Sequence, residues 1–262
     1  MTQLGAFGRS PALTILSLSV LVIAWQLASS ILSIPKFLLP SPIDVIHRAG
    51  QFGPAWAPHI LATIKSSLLG FALAVGVGFA LAVGMVRWPF ASRVLTPLIV
   101  VLQIVPKVAF APLFLIWLGT GLLPIVVITF LVSFFPIVVN ATVGFQDVER
   151  DLLDLTRILH LHWTRVFWSV RLPNALPQIF SGLRIASTLA VIGTIIGEFV
   201  GSNVGLGYLI VIANNQVDTP LAFAAIIIVS AFGLGLYALV LGVERVCMPW
   251  RRSLEPGSAL SI

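Results

Sequence analysis

Long apolar runs separated by short polar breaks dominate the chain, on a scale set by a lipid bilayer. A helix that crosses the hydrocarbon needs about 20 apolar residues. The 26 residues between Arg9 and Lys36 contain no Asp, Glu, Lys or Arg, and they predict a first span over 11–31. A second is predicted over 60–86, with Lys65 near its start. No charge occurs from Val108 to Gln146, a stretch too long for one helix. The sequence GTGLLP at 119–124 divides it, because glycine and proline are the strongest breaks in regular structure. A third span over 94–118 and a fourth over 122–143 follow, and a fifth and sixth fall over 174–200 and 219–243. The pattern predicts an all-α membrane protein of about six transmembrane helices, forming one transmembrane domain over 1–262.

The first span shares features with a secretory signal: Arg9, an apolar core, then Ala28, Ser29 and Ser30. Its apolar run is longer than a signal core, which favours a retained helix. Beyond it, PSPIDV at 40–45 offers Ser41 as an N-cap, Pro42 for the first helical position and Asp44 for the positive end of the dipole. A short surface helix and a plain loop both remain open there.

One segment breaks the apolar pattern. Eight of the 24 charged residues (15 basic, 9 acidic) fall between Asp147 and Arg171. Within it Val148, Leu152, Leu155 and Leu159 recur at the spacing of one helical face, with Glu149, Asp151, Asp154, Arg150 and Arg157 around the rest. After HLH at 160–162 a second stripe follows, Trp163, Phe167 and Val170. Pro173 disfavours the helical region at Leu172 and is expected to end this second helix. Two amphipathic helices joined by a turn suit a membrane surface or a protein docking site equally well.

Composition narrows the classes. The chain is 58% hydrophobic and 9% charged, against about 25% charged for soluble domains. Its net charge of +6 is explained by orientation rather than by nucleic acid. With both termini cytoplasmic, the inner segments hold Arg9, Arg87, Arg93, Arg150, Arg157, Arg165, Arg171, Arg245, Arg251 and Arg252, and the outer ones only Lys36 and Arg48. The charged segment over 145–173 is then cytoplasmic. A single cysteine, Cys247, excludes an intrachain disulfide and any CxxC site. His160 and His162 lack a third ligand nearby, so they read as a turn and no metal site is expected. None of the lysines, Lys36, Lys65 and Lys107, follows a glycine, so there is no P-loop. No acid, base and nucleophile cluster, and no enzyme activity is expected.

The spacing of the charged segment resembles the cytoplasmic signature of the inner-membrane permeases of ATP-binding-cassette (ABC) importers: E-A-A, three residues, G, nine residues, I-x-L-P. Here it reads Asp154-Leu155-Thr156, three residues, His160, nine residues, Val170-Arg171-Leu172-Pro173. NALPQIFSGLRIAS at 174–187, GEFVGSNVGLGYLI at 197–210, PSPIDV, and PKVAFAPLFLIWLGTG at 106–121 are similar to the branch serving nitrate, taurine, alkanesulfonates and thiamine-precursor or riboflavin-type substrates. The resemblance runs over roughly residues 35–245. It implies the type I ABC permease fold in a bacterial inner membrane. It also implies a homodimer, two separate ATPase subunits that carry the ATP and magnesium, and a periplasmic or lipid-anchored substrate-binding protein. No cofactor is implied on this chain itself. The substrate would be a small anion or organic nutrient such as a sulfonate, nitrate or a pyrimidine precursor. The segment becomes a coupling helix, with Asp154, Leu155, Thr156, Arg157, Leu159, His160, Leu161 and Trp163 against the ATPase. A stand-alone secondary transporter or channel is the competing reading. It gives this segment no role, and the chain lacks the internal repeat common in such proteins.

Where the family has glycine stands His160. A non-glycine residue in the left-handed region costs ~1–2 kcal/mol, although His is among the residues enriched there. Either His160 makes that turn or the first helix runs on before bending.

Within the spans, Glu198, Lys107 and Gln103 are the candidates for the translocation pathway, since intramembrane ionisable groups are costly. Lys107 would favour an anionic substrate or pair with Glu198, and Arg184 is expected to snorkel or pair near the cytoplasmic surface. Gly193, Gly197, Gly201 and Gly205 recur every fourth residue, a pattern that serves close helix packing, a dimer contact or a pathway wall.

Overall fold

The computed structural model describes residues 11–32 and 35–249. Arg9, Arg251 and Arg252, three of the arginines in the orientation argument, lie outside the described residues. Every regular element described is helical: α1 Pro11–Ile31, α2 Pro42–Phe52, α3 Trp56–Arg87, α4 Pro89–Ile104, α5 Ala111–Leu118, α6 Leu122–Gln146, α7 Arg150–Ile158, α8 Trp163–Val166, α9 Leu172–Gly201, α10 Leu206–Asn215 and α11 Thr219–Cys247.

Four stretches are long and apolar enough to cross a membrane: Pro42–Arg87, Leu122–Gln146, Trp163–Gly201 and Thr219–Cys247. A fifth is reached if Pro89–Ile104 and Lys107–Leu118, bent by 78°, count as one span. The expected third span is therefore a broken one. Pro106 cannot continue the helix of the residues before it, and the chain restarts as a short 3-10 turn at Lys107–Phe110. The first expected span is helical over the residues anticipated, but its apolar part, Ile15–Ile31, is shorter than the rest. Those two departures account for four or five spans where six are expected.

The core of the bundle is α6 packed between α3 and α9. Close approach is what the row of small residues serves. A Cβ on Gly193 would lie 3.0 Å from Thr129 Cα, and one on Gly197 3.0 Å from Ile125 Cα. The row on α9 thus lies against α6 of the same chain, which is the packing reading. Hydroxyls complete the contact: Ser67 donates to Thr194 at 2.8 Å, Thr129 and Thr194 share a bond of 2.9 Å, and Thr129, Ser67 and Thr194 are fully buried. Such interhelical bonds contribute about 0.6 kcal/mol each in membranes.

The surface helix at PSPIDV forms. Ser41 Oγ accepts from Asp44 N–H at 3.1 Å, and the Asp44 carboxylate accepts from Ser41 N–H at 3.3 Å, a complete capping box. Partway along α9, Arg184 reaches Glu244 near the end of α11 at 3.6 Å, the pairing expected of it.

Leu172–Pro173 does not end the second amphipathic helix. The helix instead runs from α8 into α9 through a π turn at Phe167–Arg171. Proline lacks an N–H and its ring clashes with the carbonyl four residues back. A wider turn just ahead of Pro173 absorbs both problems without breaking the rod.

Candidate functional site

The charged segment forms a helix, a turn and a second helix, and the turn settles the question posed by His160. Its φ is +49°, in the left-handed region. Leu161 N–H donates to Thr156 O at 3.1 Å and His160 N–H to Arg157 O at 3.0 Å. These are the two bonds of a Schellman cap with His160 at the position glycine favours. The imidazole adds a bond glycine lacks, Nδ1–H to Ile158 O at 2.9 Å. That contact satisfies one of the orphan carbonyls of the helix end, and offsets part of the conformational cost. His160→Gly is therefore expected to change stability by less than about 1 kcal/mol in a thermal melt and to leave transport intact, because relief of the left-handed strain and loss of the carbonyl bond oppose each other. A marked loss of transport with unchanged melting would show that the imidazole itself touches a partner.

The stripe on α7 does not all face one way. Val148 is buried, but Leu152, Leu155 and Leu159 are exposed, as is Ile158 at 73%. The face turned toward the bundle is instead Leu153 and Thr156; Thr156 is buried and donates to Leu153 O at 2.7 Å. A counted apolar spacing reads a helix face but not which of two apolar arcs meets the protein. Ile158, one turn beyond Leu155, belongs to the same exposed arc.

The second stripe does face inward. Trp163 stacks on Phe167 at 5.2 Å, and Phe167 lies 5.3 Å from the ring of Phe145 on α6. Arg87, at the end of α3, sits over the Trp163 ring at 5.4 Å. Arg171 donates to Phe145 O at 2.8 Å. The segment is thus bolted to the ends of α3 and α6 by its second helix, while its first presents aliphatic side chains outward. Asp154 and Arg157 pair with each other at 2.6 Å in the open. Between the two helices lies a groove of about 440 Å³ lined by Leu153, Thr156, Arg157, His160, Leu161 and Trp163, with Val166 and Arg171.

The three interior candidates do not form one site. Lys107 donates to Gln103 O at 2.8 Å and lies 4.4 Å above the Phe135 ring, so Lys107 and Gln103 meet through the backbone at the break after α4. Glu198 is not Lys107's partner. It is 1% exposed and accepts from Thr63 Oγ1–H at 2.8 and 3.1 Å and from Gly207 N–H at 2.7 Å. Thr63 Oγ1 in turn accepts from Leu206 N–H at 2.8 Å, and Gly205 N–H donates to His59 Nδ1 at 3.1 Å. Glu198 therefore anchors the N-terminus of α10 to α3 and α9, a carboxylate at the positive end of a helix. Nothing in the sequence marked Thr63 and His59 as its companions, since they lie 135 or more residues away in the chain.

Within this frame the comparisons with known proteins agree. Residues 72–246 match the family of binding-protein-dependent transport system inner membrane components, and the chain belongs to that family, the type I permeases of ABC importers. It is similar to a riboflavin transport system permease of Chloroflexus aurantiacus, 36% identical over 247 residues that cover 93% of this chain and 92% of the relative. A formylaminopyrimidine transport permease of Halalkalibacterium halodurans is 34% identical over 234 residues, covering 89% and 93%. A nitrate import permease of Synechocystis is 29% identical over 244 residues, covering 89% and 88%. The chain is thus a multi-pass membrane subunit with a transport rather than an enzymatic role, in a family that works with ATPase and substrate-binding partners.

Proposed function

We propose that two copies of this chain form a translocation pathway across a bacterial inner membrane, with both termini cytoplasmic and two separate ATPase subunits docked beneath. The ATP and magnesium belong to those subunits, and the permease binds no cofactor of its own. The α7–α8 segment is the coupling element: Asp154, Leu155, Thr156, Arg157, Leu159, His160, Leu161 and Trp163, together with Ile158, meet the ATPase or shape the surface that does. A binding protein, periplasmic or lipid-anchored, delivers substrate to the opposite face. That substrate is a small anion or organic nutrient of the kinds its relatives are named for, a sulfonate, nitrate, a pyrimidine precursor or a flavin.

The observation that carries this reading is the outward aliphatic arc of α7, with Ile158, Leu159, Leu155 and Leu152 at 73, 58, 51 and 42% exposure. Helices that lie on anionic lipid carry Lys and Arg on the polar face. Here the polar residues are mixed, with Glu149, Asp151 and Asp154 beside Arg150 and Arg157, a set that lacks the basic excess that draws a helix to anionic lipid and suits a protein groove better. The reading is tested by reconstituting the purified chain with its ATPase and binding protein in proteoliposomes. Uptake that requires ATP and all three components supports it; uptake by the chain alone, driven by a solute or ion gradient, would make it a stand-alone transporter.

A further inference from the structure

At the end of the bundle that holds α10, a cleft of about 450 Å³ opens between α3, the turn from α5 into α6 and the loop after α9. Its walls include Lys65, Thr120, Ser202, Asn203 and Val204, with Glu198 beneath. The volume lies within the roughly 300–1,000 Å³ typical of small-molecule sites. We propose that this cleft is an oxyanion-recognition site of the permease, in which the Lys65 ammonium supplies the charge and Thr120 and Asn203 supply neutral donors; the proposal rests on the importer reading above.

Lys65 sits more than two turns inside α3 and, like Thr120 and Asn203, presents an exposed side chain on the wall of the cleft, where an ammonium at membrane depth draws a counter-charge, water or a ligand. Among the described residues it holds no ion pair and no hydrogen bond, and neither do Thr120 and Asn203. Its natural partner would be Glu198, which shares the cleft. Both Glu198 oxygens, however, are engaged by Thr63 Oγ1–H, and one of them also by Gly207 N–H, and the carboxylate's charge is met by the N-terminus of α10. The cleft is left with a surplus of donors: three on the ammonium, one on a hydroxyl and two on a carboxamide. Their complement is a compact acceptor-rich anion, a carboxylate, sulfonate or nitrate-like group. Lysine suits that role as a point charge on a flexible stem. Lys107 does not, because its ammonium is already spent on the Gln103 carbonyl and the Phe135 ring. A lysine in this position also has a second source of oxyanion, the phosphate of a lipid headgroup reached by snorkelling, and the experiment separates the two.

The full-length chain, assembled with its partners in right-side-out membrane vesicles, carries Cys247→Ser to remove its one cysteine and Val204→Cys as a reporter in the cleft wall. The rates of modification by 2-sulfonatoethyl methanethiosulfonate and by its 2-(trimethylammonio)ethyl counterpart give an anion-to-cation ratio. Lys65→Gln is expected to lower that ratio roughly tenfold, in line with the effect of local charge on encounter with ions. Lys65→Arg keeps it, and Lys36→Gln, which removes an outer lysine paired with Asp44, leaves it unchanged. A ratio indifferent to Lys65→Gln overturns the proposal, as does a ratio that follows the anionic lipid content of the vesicles instead of residue 65. ATP-dependent uptake by the unsubstituted chain is measured in parallel. Absence of that uptake with the charge effect present would count against the importer reading, and uptake present with no charge effect against this site alone.

Discussion

Aspartate at both Leu155 and Ile158 should abolish ATP-dependent uptake while the permease still folds and inserts. Both side chains are exposed, at 51 and 73%, so neither substitution removes packing within the chain. Both would, however, place a carboxylate in the apolar centre of the interface proposed for the ATPase. Interface centres carry most of the binding energy, and a desolvated unpaired charge there costs about 2 kcal/mol or more. Two such charges weaken assembly by roughly a thousandfold, at tenfold per 1.4 kcal/mol. Co-purification of the ATPase with a tagged permease reads the loss directly, and the unchanged melting temperature of the permease shows that its fold is intact. Asp151→Ala, on the polar side of the same helix, should leave co-purification within a few fold of the parent, because exposed charges contribute little.

The largest effect on the chain itself is expected from Gly205→Ala. Gly205 has φ +133°, and a Cβ there would lie 2.3 Å from Glu198 Cδ and 2.5 Å from each carboxylate oxygen. Backbone strain of this kind costs on the order of 1–3 kcal/mol. The clash adds to it, because Glu198 can withdraw only by giving up its hydrogen bonds to Thr63 and Gly207. A loss of about 3 kcal/mol or more is expected, read as a clear fall in melting temperature in detergent and poor recovery of folded protein. Glu198→Ala should also destabilise, by leaving the Thr63 hydroxyl and Gly207 N–H buried without an acceptor, at about 1–3 kcal/mol each. The double variant should cost less than the sum, since removing the carboxylate removes the clash. Additive losses, or a Gly205→Ala protein as stable as the parent, would show that the Glu198 node does not hold α10 as described.

What the sequence disclosed follows from how local each feature is. The capping residues of α2, Ser41, Pro42 and Asp44, were readable because they act within one turn, although helix and loop stayed equally open until the capping box was seen. The helix–turn–helix at 150–171 was readable because its stripes repeat every turn. His160 was not decidable, since a left-handed residue is allowed but costly, and only the three-dimensional path of Leu161 back to Thr156 selects it. Pro173 was misjudged for the opposite reason: a local rule that ends helices was overridden by a π turn, and the continuous α8–α9 rod packed on α6 holds that turn in place. The outward tilt of Leu155 and Leu159 depended on which arc of α7 the bundle uses, which no periodicity states. Glu198 stood out as an intramembrane acid, but its partners come from α3 and α10. The sequence could not choose between a pathway group and an anchor.

The central claim, that the outward arc of α7 meets an ATPase, is tested most directly by a photoreactive p-benzoylphenylalanine at position 158 in membranes containing the assembled complex. The same probe at Ile46 on α2, 72% exposed, serves as the control at the far end of the bundle. Irradiation should join position 158 to the ATPase subunit, giving an adduct of their summed mass, and should leave position 46 free of it. Adducts of position 158 with lipid alone, or with the ATPase at position 46 and not at 158, would contradict the account.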